Sequence, residues 1–227
     1  MALHGSTVAN GYNTSPTVNV PTVSAGDIVN LFINASNNHT ISVPSGFTQY
    51  ANLTNTGGVI SAFWKVAGGS EPSTYSTTIS GLDIWDIACT THSGRNSSQS
   101  MSPQTTTGSG NPSVTLTIPA ITAAANDDLI AVYAASQVNI TPGTLSSTPS
   151  GFTLQQTAGG NYNALTVCTK DGVSAGSTGT TAGTISSTAG AIYGYALAVN
   201  LAAASGGGNA PPQLIIPPSG LSFLGRR

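Results

Sequence analysis

The sequence predicts an all-β protein: a β-sandwich, jelly-roll-like or immunoglobulin-like, of about twelve strands in two similar halves, with an extended C-terminal arm. Three observations predict it. Apolar residues recur with period two, as in 28–35, where Val29, Leu31, Ile33 and Ala35 alternate with Ile28, Asn30, Phe32 and Asn34. Proline and glycine punctuate the chain, and no stretch sustains a 3.6-residue apolar pattern. The order of blocks in the first half returns in the second.

The repeat is clearest in "PSGFTQ" (44–49) and "PSGFTL" (149–154). Around it "SPTVNVP" (15–21) matches "NPSVTLTIP" (111–119), and "GDIVNLFINAS" (26–36) matches "DDLIAVYAAS" (127–136). "VISAFWKVAGGS" (59–70) matches "NALTVCTKDGVS" (163–174), setting Lys65 against Lys170 and Phe63 against Cys168. "STYSTTIS" (73–80) matches "TGTTAGTIS" (178–186), and "LDIWDIACTT" (82–91) matches "AIYGYALAVN" (191–200). Each block reads as a strand. The face of Val29, Leu31 and Ile33 is matched to Ile130, Val132 and Ala134. That of Trp85, Ile87 and Cys89 is matched to Tyr193, Tyr195 and Leu197, which sets Cys89 against Leu197 and Asp86 against Gly194. The opposite faces, Ile84, Asp86 and Ala88 and then Ile192, Gly194, Ala196 and Ala198, carry small residues that would let another sheet or subunit approach closely.

These blocks divide the chain into an N-terminal segment (1–14), a first half (15–108), a second half (109–204) and a Gly/Pro-rich arm (205–227). "MSPQTTTGSGN" (101–111) reads as a crossover loop joining the halves into one continuous sandwich, two tandem sandwiches being the alternative. "AITAAANDDL" (120–129) is the one candidate for a short helical turn.

Charged residues make up 5% of the chain, against roughly 25% in an ordinary soluble domain, and the formal net charge is −2. No basic footprint for nucleic acid or an anionic membrane is present. The opening "MALHGSTVAN" lacks the basic and apolar regions of a secretory signal, and no apolar run is long enough for a spanning helix. The glycosylation-like triplets at Asn13, Asn34, Asn38, Asn52, Asn96 and Asn139 therefore follow from an Asn/Ser/Thr-rich composition. So little charge gives weak colloidal repulsion, which suits life inside an assembly.

Candidate chemistry is sparse. Asp86, His92 and Ser93 invite comparison with a nucleophilic triad, but no nucleophile elbow accompanies them, so Asp86 is expected hydrogen-bonded near a sheet edge and His92 in a turn. His4 and His39 stand isolated, without partners at metal-ligand spacing. Asp27 and Asp127–Asp128 open strands after turns and are expected to cap them, with a loop calcium ion as the alternative. Cys89 and Cys168 read as buried free thiols. Trp64, Trp85, Tyr50, Tyr75, Tyr162, Tyr193 and Tyr195 would serve either the core or a sugar-binding face. No catalytic residue, cofactor or metal ligand is assigned, and no enzymatic activity is expected.

On the two "PSGFT" loops, the stretch "FWKVAGGSEPSTYSTTISG" (63–81), the "AGD" before the second strand and "HSG" after the sixth, the chain resembles a family of duplicated β-sandwich modules. Such modules are common in tailed-phage structural proteins and some bacterial surface proteins. The resemblance spans roughly residues 15–203. It implies a non-enzymatic virion protein, a capsid decoration or cement protein or a small tail accessory, bound to other capsid or tail subunits and often trimeric. A receptor- or glycan-binding tail module is the alternative. The arm suits the first role: Gly206–Gly208 form a hinge, and Pro211–Pro212 and Pro217–Pro218 stiffen an extended tether. Along it Leu214, Ile215, Ile216, Leu221, Phe223 and Leu224 are expected to dock on a partner, with Arg226 and Arg227 pairing with carboxylates.

Overall fold

The computed structural model describes residues 3–136, 142–160, 162–187 and 190–204. Asn139 and every residue of the expected arm, Leu214, Ile215, Ile216, Leu221, Phe223, Leu224, Arg226 and Arg227 included, lie outside them. The described residues form strands throughout. The first half comprises β1 (Leu3–Asn13), β2 (Thr17–Asn19), β3 (Ile28–Ala35), β4 (Thr48–Asn55), β5 (Gly58–Val66), β6 (Thr74–Ser76) and β7 (Asp83–His92). The second opens with β8 (Gln104–Gly110), β9 (Ser113–Ile118), β10 (Thr122–Ala123), β11 (Asp127–Ser136) and β12 (Pro142–Leu145). It closes with β13 (Thr153–Gly160), β14 (Asn163–Val173), β15 (Gly176–Ser177), β16 (Thr181–Ser187) and β17 (Ile192–Leu201).

The duplication is written in the sheet order. The first half forms a five-stranded sheet β1-β7-β3-β5-β4, and the second forms β8-β17-β11-β14-β13, the same order strand for strand. A small sheet covers the outer face of each: β2-β6 on the first, β9-β16-β12 with the β10-β15 pair on the second. Local chemistry repeats too. In both "PSGFT" loops the Phe N–H donates to the Pro carbonyl at 3.0 Å. Gly46 and Gly151 sit at φ of 79° and 78°, the third position of a type II turn, which only glycine fills without strain. Asp27 and Asp127 each accept the N–H three residues earlier, from Ser24 and Ala124, at 2.8 Å, capping a turn as expected. Each large sheet also carries a bulge just after its "PSGFT" turn, between Gln49 and Ala51 and between Leu154 and Gln156.

The two sandwiches stack by their large sheets, giving four layers and three cores. Val29, Leu31, Ile33, Phe63, Trp85 and Ile87 pack under β2-β6. Leu116, Ile118, Leu129, Tyr133 and Ile185 fill the equivalent outer core of the second half. Between the large sheets lies a seam of Ile28, Phe32, Ile60 and Ala88 against Ile130, Val132, Leu165, Val167, Leu197 and Val199. Every residue of β3 and of β11 is therefore buried, alternate side chains entering different cores. This replaces the continuous sandwich favoured by the sequence.

Several local expectations change. The N-terminal segment supplies β1, an edge strand paired along β7. The expected crossover loop contains β8, its counterpart, paired along β17. The candidate helical turn is the β10 strand followed by a turn with Asn126 at φ 68°, where the first half has Gly26 at 87°. The matched faces slip by one residue. Ala35 pairs with Trp85 and Ala135 with Gly194, so Asp86 corresponds to Tyr195 and Cys89 to Ala198. The true counterparts of Val29, Leu31 and Ile33 are Leu129, Ala131 and Tyr133. Because β11 is apolar on both faces, its period-two pattern carries no phase, and a one-residue slip exchanges the two sides. The small-residue faces do admit close neighbours, but within the chain: Asp86 and Ala88 face the seam, whereas Ala196 and Ala198 lie in the second outer core. A Cβ on Gly194 would come within 2.9 Å of Val114 and Leu116.

Phe32 is wholly buried in the seam. Phe32→Ala should cost about 3–5 kcal/mol in urea denaturation; a loss below about 1 kcal/mol would mean the sheets are not packed there.

Candidate functional site

The seam changes character along its length. At one end it is bound by amides and hydroxyls. Asn34 Nδ2 donates to the carbonyls of Ala135 (3.0 Å) and Ala164 (3.3 Å), and Ser136 Oγ donates to Asn34 Oδ1 (3.1 Å). Asn163 Nδ2 donates to Ile84 O at 2.6 Å, and the Tyr195 hydroxyl donates to Asn55 Oδ1. Asn34, Ser136, Asn163 and Tyr195 are buried and their bonds cross between halves, so each would be costly to leave without its partner.

At the other end the seam holds charges. His92, the last residue of β7 and not part of a turn, is fully buried with its Nδ1 3.8 Å from Asp128 Oδ2 of β11. Arg95 Nε lies 3.2 Å from the same oxygen, while its Nη1 donates to Asn126 O at 2.7 Å. Gly172 N–H donates to Asp128 Oδ1 at 2.8 Å. Asp127 points the other way and accepts from Asn200 Nδ2 (2.7 Å) and the N–H of Ala203 (2.8 Å). Burial alone would raise its pKa, but these bonds, that from Ala124 and the charge on Arg95 hold it below the usual carboxylate range.

The triad candidates do not meet. Asp86 and His92 share one face of β7 six residues apart, roughly 20 Å along a strand. Asp86 is neither near water nor hydrogen-bonded: it is fully buried, and neither carboxylate oxygen has a hydrogen-bond partner. Desolvation pushes its pKa up to about 7. His4 is not isolated, its Nδ1 lying 2.6 Å from Asp27 Oδ2, and His39 Nδ1 sits 3.4 Å from Ser80 Oγ. Cys89 and Cys168 are buried free thiols; burial raises both, Cys168 to about 12, so neither is poised as a thiolate.

The aromatic residues do not assemble into a platform among the described residues. Trp85, Tyr75 and Tyr195 are buried, and Trp64 and Tyr50 pack against the seam. Phe47 and Tyr75 meet edge to face at 5.1 Å, with Lys65 Nζ 5.5 Å and 5.4 Å from their ring centroids. Glu71 Oε2 accepts from Lys65 Nζ and the Tyr75 hydroxyl, both at 2.7 Å. Burial works to raise the Glu71 pKa, but hydrogen bonds from Lys65, Tyr75 and the Gly68 N–H bring it below its ordinary value. The "PSGFT" loop and the "FWKVAGGSEPSTY" stretch thus form one structural lock, pinning a turn to β5. Sequence reading missed Arg95, Asp128 as the partner of His92, and Asp171 beside them. The extra residue of "KDGV" relative to "KVA" was the available signal.

Compared with protein-family models, curated proteins and solved structures, the chain finds no match. The resemblance to phage modules therefore rests on its quoted motifs.

Asp86 makes stability depend on pH in a fixed direction. Its folded pKa, about 7, lies above the ordinary 3.8, so the folded state binds the proton more tightly. Its favourable contribution is complete below about pH 4 and is lost as pH rises through about 7, on the order of 4 kcal/mol in all. Asp86→Asn should remove this slope and stabilise the protein at pH 8 in urea titrations. An unchanged pH profile would show that Asp86 has another source of compensation.

Proposed function

We propose that this protein is a non-enzymatic structural module of a virion, a capsid decoration or small tail accessory protein held in its assembly by residues 205–227. One observation carries the reading: the described surface is almost free of charge. Of the ten charged residues described, six are buried (Asp27, Asp83, Asp86, Arg95, Asp127 and Asp128), three are half-buried, and Asp171 is exposed. The outer small sheets show solvent Thr17, Asn19, Thr74 and Ser76 on one side and Ser113, Thr115, Thr117 and Thr184 on the other.

Such a surface gives little repulsion between copies and little electrostatic steering toward a charged substrate. It offers hydroxyls and backbone that hydrogen-bond at close contact. A rigid four-layer block with neutral faces suits dense packing beside identical neighbours, and small contact energies multiply when copies repeat over a shell. The prolines at positions 211, 212, 217 and 218 would lower the entropy lost if residues 205–227 dock on a partner, which suits a tether.

Light scattering after size-exclusion chromatography, comparing the full chain with one ending at Ala204, checks this reading. The expected result is an oligomer of fixed order, a trimer by resemblance, that becomes monomeric without the arm. A full-length chain that stays monomeric at high concentration and fails to co-sediment with virions would overturn it.

A further inference from the structure

The charged end of the seam departs from the repeat at each position that forms it. Register sets His92 opposite Ile28 in the first half and Leu201 opposite Asp128 in the second. His92 thus corresponds to Leu201 and Asp128 to Ile28, an apolar residue standing in for each polar one in the other copy. The third departure is an insertion. Where β5 runs into Lys65, Val66 and Ala67, β14 runs Lys170, Asp171, Gly172 and Val173, one residue longer. The ladder shifts there, between Asp127 and Leu129, as a β-bulge, a device that re-aims side chains.

The three departures converge. Ligating atoms of His92, Asp128 and Asp171 all lie within 4.8 Å of one another. His92 and Asp128 are fully buried, yet neither imidazole nitrogen and not Asp128 Oδ2 has a hydrogen-bond partner. Imidazole nitrogens without a hydrogen bond at that depth are costly, and a ligand between His92 and the carboxylates would satisfy one of them. With two carboxylates against the single guanidinium of Arg95, the cluster also has negative charge in excess.

We propose that His92, Asp128 and Asp171 form a divalent transition-metal site, best suited to Zn2+, that fastens the two halves across their seam. The 3.8 Å from His92 Nδ1 to Asp128 Oδ2 is too long for a hydrogen bond. Two metal–ligand bonds of about 2.0–2.2 Å span it at a wide angle. Gly172 N–H on Oδ1 fixes the carboxylate so that Oδ2 faces the imidazole, the outer-shell support that metal ligands need. Arg95 Nε–H donates to Ser93 O at 3.3 Å, so its 3.2 Å approach to Oδ2 is an ion pair and not a hydrogen bond that would occupy a lone pair. Asp171, exposed, provides the way in and leaves a position for water. One imidazole with two carboxylates suits Zn2+; Ca2+ prefers more ligands, all of them oxygen. The site differs from the loop calcium considered on sequence grounds, because Asp127 is committed to its turn.

The test uses the full chain, stripped with a chelator and desalted, followed by thermal unfolding and titration calorimetry with ZnCl2 and, for contrast, CaCl2. The expected result is one Zn2+ per chain and a Tm that rises with Zn2+ concentration by mass action, with no comparable rise for Ca2+. Asp171→Asn, at the surface, should weaken Zn2+ binding roughly tenfold or more. His92→Leu, which copies the residue at position 201, should abolish it while the protein still unfolds cooperatively. Should His92→Leu fail to fold, Asp171→Asn decides alone. Absence of Zn2+ binding would overturn the proposal and leave a buried His92–Asp128–Arg95 ion cluster. Undiminished binding in Asp171→Asn would overturn it equally, by placing the metal elsewhere.

Discussion

Everything else in this structure depends on the burial of two five-stranded sheets against each other. A sandwich half normally keeps one face of each sheet in water. Here the inner face of each large sheet is given to the other half, so β3 and β11 are buried from end to end. That demand explains the composition of those strands, which, beyond Asp127 and Asp128 at the start of β11, have apolar or neutral residues where an outer strand would place charges. It also explains why the repeat is kept so closely, since two copies of one sheet order present matching surfaces.

The same burial organises the polar groups. The seam is apolar along its middle and closed by polar contacts at both ends, Asn34, Ser136 and Asn163 at one and His92, Asp128 and Arg95 at the other. Buried polar contacts of this kind fix register and orientation where apolar packing alone would tolerate sliding. Charges are drawn inward to serve the fold, and the surface is left to hydroxyls and amides. An inert exterior and a strongly specified interior are what the structural role proposed above asks for.

Much of this was legible in the sequence, and the failures have physical causes. Two "PSGFT" turns and the Lys65–Lys170 match set the duplication correctly, because turn glycines and bulges impose local geometry that survives divergence. The phase of β11 against β3 was misread since alternation disappears when both faces are buried. Strands β1 and β8 were passed over because Gly-, Ser- and Thr-rich edges resemble loops until a neighbouring strand supplies their hydrogen bonds. The partnership of His92 with Asp128 joins residues from different halves, and nothing in the spacing of a linear chain announces it. Asp86 had the appearance of an ordinary strand carboxylate; only its depth in the seam makes it unusual.

The claim that the seam makes two halves into one body is tested most directly by differential scanning calorimetry of the full chain at neutral pH. A single transition with equal calorimetric and van't Hoff enthalpies is the predicted result, because neither half can open without exposing the face of the other. Two resolved transitions, each with about half the total enthalpy, would contradict it and show two sandwiches that merely touch.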